Sequence, residues 1–144
     1  AHARTRRFGD RVHVGVRETE NQAIDAANSL LQYLDDAEGA AIRKRSLDSE
    51  STGVNRQATL REDSASDGFA EPHLWTGIGR ARSGCGAALV GDPDQVLAKL
   101  KAYQALGIES FILSGYPHKN ECDLFARYVL PNLEHGPLLS RNPG

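Results

Sequence analysis

Residues 88–113 read ALVGDPDQVLAKLKAYQALGIESFIL, and this stretch decides the fold. Ala88-Leu89-Val90 is a short apolar run of the kind that forms a buried strand. Gly91 turns the chain, Asp92 is placed to cap a helix, Pro93 takes its first position, and Gln95 completes a capping box. Val96, Leu97, Leu100, Tyr103 and Leu106 then recur at helical spacing and give the helix one apolar stripe. Gly107 ends it, and Ser110-Phe111-Ile112-Leu113 is the next strand. Two strands joined by a helix of this length pair in parallel.

Upstream, Arg11-Val12-His13-Val14-Gly15-Val16 alternates strictly: valines on one face, Arg11, His13 and Gly15 on the other. Period two with β-branched residues predicts a strand. Thr19 and Gln22 have capping-box spacing, and Ala23, Ala27, Leu30, Leu31 and Leu34 predict a helix from about Glu20 to about Asp35. Residues 36–86 are rich in serine and charge, with short helical turns expected near 40–46 and 54–60. They read as a long, mobile insertion, because loops of this length tend to be lids or disordered segments. Downstream, Ser114-Gly115-Tyr116-Pro117-His118 is a loop, Leu124, Phe125, Tyr128 and Val129 mark a last helix stopped by Pro131, and residues 136–144 form a frayed tail.

The predicted order is strand–helix, insertion, strand–helix, strand–helix. A parallel sheet must be covered on both faces or close into a barrel. Three strands cannot close, since a (β/α)8 barrel takes eight strands and ~250 residues. The sequence is either a small open α/β sheet or three successive βα units of a longer barrel. The chain has 144 residues, opens at Ala1 and contains no Met, which fits a piece of something longer.

Lys and Arg total 17 and Asp and Glu 19, a net charge of −2, so no basic excess points to nucleic acid or to an anionic membrane surface. No run approaches the ~20 apolar residues of a membrane span, and no signal-peptide pattern opens the sequence. Cys85 and Cys122 match no zinc spacing and are too few for a disulfide scaffold, so the expected compartment is the cytoplasm.

In parallel α/β folds, function gathers at the carboxyl ends of the strands. Three places qualify: Arg11, His13 and Arg17 on and after the first strand; Arg80 and Arg82 in the glycine-rich run before the second; and Tyr116 and His118 after the third. Each has a plainer reading, namely a solvated sheet face, a solubilising loop and a turn built by Gly115 and Pro117. Together they set arginines, histidines and a tyrosine around one rim with no carboxylate among them, which suits an oxyanion or a cofactor phosphate. No Walker loop, nucleophile elbow or metal-ligand spacing is present.

These same residues carry a resemblance. Arg7-Phe8-Gly9, Arg11-Val12-His13-Val14 and Val16-Arg17-Glu18-Thr19-Glu20 resemble the FMNH2-dependent alkanesulfonate monooxygenases, two-component enzymes of the bacterial-luciferase-like superfamily. The likeness continues through Ser51-Thr52-Gly53, Asn55-Arg56 and Leu60. It runs on through Leu74-Trp75-Thr76-Gly77-Ile78-Gly79 and Ala88-Leu89-Val90-Gly91-Asp92 to Leu106-Gly107-Ile108 and Phe111-Ile112-Leu113-Ser114-Gly115-Tyr116-Pro117-His118, in a single register. The resemblance implies a fold: the C-terminal three βα units of a luciferase-like (β/α)8 TIM barrel, with 36–86 as insertion and lid.

It also implies an activity. Reduced flavin (FMNH2), delivered by a separate NAD(P)H-dependent flavin reductase, and O2 convert an alkanesulfonate to an aldehyde and sulfite. The family's pocket residues fall on Arg11, His13, Tyr116 and His118, and the arginine of its mobile lid falls on Arg82. Arg11 and Arg82 would neutralise anionic charge, His13 or His118 would move protons, and Tyr116 would donate a hydrogen bond. The lid usually reads Arg-Gly-Gly-Ala-Gly in the family and here reads Arg82-Ser83-Gly84-Cys85-Gly86. The resemblance further implies a homo-oligomer, and a chain of this length is expected to be inactive alone. Related methanesulfonate or sulfone monooxygenases, and a non-catalytic half-barrel that binds flavin or an anion or self-associates, are the alternatives.

Overall fold

The computed structural model describes residues 7–32, 41, 52–64, 66–81 and 86–136. The alternating segment forms β1 (Phe8–Val16). Thr19 caps α1 (Glu20–Ser29), with both bonds of the predicted capping box to Gln22 formed. The helix ends earlier than its apolar spacing predicts: the Ser29 hydroxyl donates to the Ala26 carbonyl, a local bond that competes with helix continuation. Leu34 and Asp35 lie outside the described residues.

The region read as an insertion carries regular structure where it is described. It holds α2 (Thr52–Glu62), β2 (Phe69–Glu71), β3 (Leu74–Trp75) and the short α3 (Ile78–Ala81). It also contributes core: Trp75 and Ile78 are 2% and 3% exposed. The helical turn expected near 54–60 lies within α2, whereas that near 40–46 falls almost wholly outside the described residues.

β4 (Ala88–Gly91), α4 (Pro93–Ala105) and β5 (Ile108–Ser114) follow the deciding stretch closely. Asp92 and Gln95 form the predicted box, and Gly107, at φ 96°, makes the turn that ends the helix. Leu106 departs from the predicted stripe and is exposed, because it caps the helix rather than packing under it. The chain closes with α5 (His118–Tyr128) and a 3-10 turn at Leu130–Asn132.

Among the described residues the sheet has five strands in the order β2-β3-β4-β1-β5. β4, β1 and β5 run parallel, and the β2–β3 hairpin extends them antiparallel. This corrects the expectation that the two strands joined by the Pro93 helix pair with each other. β5 pairs with β1, not with β4, so β4 belongs to the long excursion between β1 and α4. The helices divide accordingly. Val12, Val14 and Val16 meet Val96, Leu100, Phe125, Val129 and Leu133 in one core, on the face covered by α4 and α5. Ala23 and Ala27 of α1 meet Trp75, Ile78, Ala88 and Val90 in a second core on the other face. Both faces are thus apolar where helices cover them, as a parallel sheet requires.

No helix among the described residues is long and apolar enough to cross a membrane.

Candidate active site

Alternation along β1 puts His13 on the α1 face, opposite the valines. His13 is 5% exposed, and its Nε2 lies 3.2 Å from the Ser114 hydroxyl across the last paired position of β1 and β5. The chain then leaves the sheet through Gly115 and a cis Tyr116–Pro117 peptide. That turn swings Tyr116 back over β1. The Tyr116 ring stacks on His13 with centroids 5.5 Å apart and planes 16° from parallel, and His118 follows at 4.7 Å from Tyr116. Three of the five sequence-predicted residues therefore form one aromatic row.

The hydrogen bond of His118 fixes its tautomer. Its Nδ1 is 2.6 Å from the Gly115 carbonyl oxygen, which accepts but cannot donate. Nδ1 therefore carries the proton, and in the neutral ring Nε2 is the basic nitrogen. His118 is exposed and opens the first turn of α5.

Arg11 shares the His13 face, two residues earlier along β1, but is exposed. There the face is bare: Ile112, its partner on β5, is 65% exposed. Arg82 and Cys85 fall outside the described residues. Arg80 is placed elsewhere, at a cavity of about 460 Å3 lined also by Arg61, Thr76, Phe69 and Trp75, where both arginines are already engaged by other groups.

Arg17, a candidate from the sequence, is committed to a carboxylate. Its Nη1 donates to Glu121 Oε1 at 2.6 Å and to the Val16 carbonyl at 2.7 Å. Glu121 is 2% exposed and was not singled out by sequence reasoning. The signal was present: Glu121 stands one helical turn before Phe125, an acid on the apolar stripe of α5.

Behind the His13–Tyr116 stack, α1, Trp75 and Ile78 enclose a void of only about 20 Å3, which also touches Arg17 and Glu121. That is room for about one water. No isoalloxazine ring fits in that void. Among the described residues, no cluster of His, Cys, Asp or Glu has the grouping to hold a metal.

The arrangement is a partly dry row of two imidazoles and a phenol, with no carboxylate in it, beside the carboxyl end of β5, and the exposed Arg11 lies two residues before His13 on β1. Across 137 residues, 95% of the chain, it is 66% identical to a protein named sulfoquinovose monooxygenase from Novosphingobium aromaticivorans. This chain is similar to one segment of a sulfonate monooxygenase. A second protein of that name, from Agrobacterium fabrum, is 55% identical over 134 residues, 93% of the chain. The chain spans 38% and 35% of the lengths of these curated relatives. No protein-family model matches it. Both relatives are named for sulfoquinovose and not for an alkanesulfonate.

Proposed function

We propose that this chain supplies the anion-handling end of a flavin-dependent sulfonate monooxygenase, and that its substrate is a sulfonated sugar rather than a simple alkanesulfonate. One observation carries the reading. The His13–Tyr116–His118 row, picked out as a candidate oxyanion site, lies inside a segment 66% identical to a sulfoquinovose monooxygenase.

In this reading β1 and β5 are neighbouring strands of a luciferase-like barrel. α4 and α5 lie on its outside and the His13 face points inward, with β4 and the β2–β3 hairpin part of the excursion that covers one end. Reduced FMN, delivered by a separate NAD(P)H-dependent reductase, supplies with O2 the oxidising chemistry that breaks the carbon–sulfur bond. The void behind the stack is too small for the flavin, so no flavin-holding residue is assigned to this chain.

The chain's own residues act on the anion. Arg11 neutralises sulfonate charge, and Arg82, outside the described residues, is the second guanidinium that the resemblance offers for that role. The Tyr116 hydroxyl donates a hydrogen bond. His118 Nε2 takes or returns a proton at the solvent-facing end of the row, and His13 holds the buried end. Burial keeps water from His13, whereas Arg11 and His118 face solvent.

The test is a graft. This chain replaces the matching segment of the Novosphingobium relative, and sulfite release is measured with reduced FMN, O2, sulfoquinovose and a series of straight-chain alkanesulfonates. Sulfite from sulfoquinovose in preference to the alkanesulfonates supports the reading. Preference for the alkanesulfonates returns the specificity to the broader resemblance, and no sulfite from any of them removes the reading.

A second reading has its own observation. β5 is an edge strand, and Phe8 and Ile112 are 60% and 65% exposed beside it. An open apolar edge invites pairing. Self-association through that edge would appear in gel filtration as a dimer that dissociates when Ile112 is replaced by Lys.

A further inference from the structure

We propose that Glu121 and Arg17 are a positioning pair that holds the Tyr116–His118 turn in register against His13. The activity arm of the test below rests on the function proposed above; the spectroscopic arm does not.

The geometry begins with the ladder. In a parallel sheet, alternate N–H groups of a central strand point to opposite neighbours. On β1, His13 N–H donates to Ala87 O at 3.1 Å and Arg17 N–H to Gly91 O at 3.3 Å, so these odd positions face β4. Val16 N–H faces the other way, towards β5. The last pair on that side is His13 with Ser114, after which β5 turns off through Gly115. Val16 N–H is thereby left beyond the end of its partner strand, in a residue that is fully buried.

Glu121 fills the gap. Its Oε2 accepts from Val16 N–H at 3.2 Å, extending the ladder with a side chain where the backbone has departed. Its Oε1 takes Arg17, which also donates to Val16 O. Both polar groups of Val16 and the charge of Glu121 are satisfied by one three-residue clip. The clip also bears on the turn, because Gly115 lies close to Glu121 on one side and to the Val14 carbonyl of β1 on the other. A Cβ on Gly115 would lie 2.5 Å from Glu121 Cβ and 2.9 Å from the Val14 carbonyl oxygen. Gly115 precedes Tyr116 directly, and its carbonyl holds His118. Moving Glu121 therefore moves both members of the row that belong to the turn, whereas His13 stays with β1.

The variants are Glu121→Gln, which keeps an oxygen for Val16 N–H and loses the ion pair, Arg17→Met, and the double variant. Val96→Ala is the control, a cavity in the α4–α5 core that removes none of the hydrogen bonds of the clip. In the 144-residue chain, the ring NMR signals of His13 and Tyr116 report the stack. Glu121→Gln and Arg17→Met shift them alike, the double variant adds nothing further, and Val96→Ala leaves them in place. In the grafted relative, Glu121→Gln lowers kcat roughly tenfold to a hundredfold at unchanged KM, the loss expected when reacting groups are misplaced by about 1 Å. Glu121→Asp, which keeps the charge, restores part of it.

Unmoved ring signals in both single variants overturn the proposal. So does a kcat loss that Val96→Ala reproduces at equal destabilisation, since the pair would then act through stability alone. If the unmutated graft releases no sulfite, the proposed function fails, and the ring signals still decide the role of the pair.

Discussion

Replacing Gly115 by Ala puts one methyl group at the tightest point of the candidate site. That methyl would sit 2.5 Å from Glu121 Cβ, 2.6 Å from Glu121 Cγ and 2.9 Å from the Val14 carbonyl oxygen. Ordinary carbon contacts need about 3.5–4.0 Å. Glu121 cannot rotate away without leaving Val16 N–H and Arg17, and Val14 O is backbone in the middle of the sheet. The strain resembles overpacking of a filled core, which costs about 1–3 kcal/mol. For a chain of this size that lowers Tm by roughly 2–12 °C. Trp75 is the single tryptophan and is 2% exposed, so its fluorescence reports unfolding in urea. Gly15→Ala is the matched control. It lies on β1, and its new methyl would meet Val90 Cγ2 at 3.6 Å, an ordinary contact. The expected result is a lowered urea midpoint for Gly115→Ala with an unchanged slope, and a midpoint near that of the parent for Gly15→Ala. Equal midpoints for Gly115→Ala and the parent would refute the close packing of the turn against β1.

Leu100→Ala, in a fully buried position of the α4–α5 core, is expected to cost about 2–5 kcal/mol in the same urea assay. Tyr103 gives a pH prediction. Burial first, then the carboxylates of Glu71 and Asp10 and the hydrogen bond to Glu71, push its phenol up from 10.0 to about 12. The folded chain therefore holds this proton more tightly than the unfolded one. Its contribution to stability is complete below the ordinary tyrosine value and is lost as pH rises through the folded value. A phenolate absorbance difference between the parent and Tyr103→Phe should rise near pH 12 in the folded chain, and Tyr103→Phe should flatten the alkaline fall of the urea midpoint.

Local features were legible in the sequence because local atoms decide them. Both capping boxes, the Pro93 start and the Gly107 stop involve residues within a few positions of one another, and each forms as read. Strand order was not legible. Whether β5 pairs with β1 or β4 depends on the path of the whole excursion between β1 and β4, which no local pattern encodes. The site divides in the same way. His13 and Tyr116 could be named from strand alternation and from the turn that follows β5. The role of Arg17 was hidden because its partner Glu121 lies 104 residues away. An arginine at the end of a strand reads as an available cation until the carboxylate that neutralises it is found.

The central claim is that the His13–Tyr116–His118 row handles a sulfonate. Its most direct test is sulfite release by the grafted relative carrying His13→Ala or His118→Ala, measured against the unmutated graft at matched folded fraction. Loss of an acid–base group lowers the rate by roughly 10²–10⁴-fold, and that is the result expected for at least one of the two histidines. Sulfite released at the unmutated rate by both variants would contradict the account.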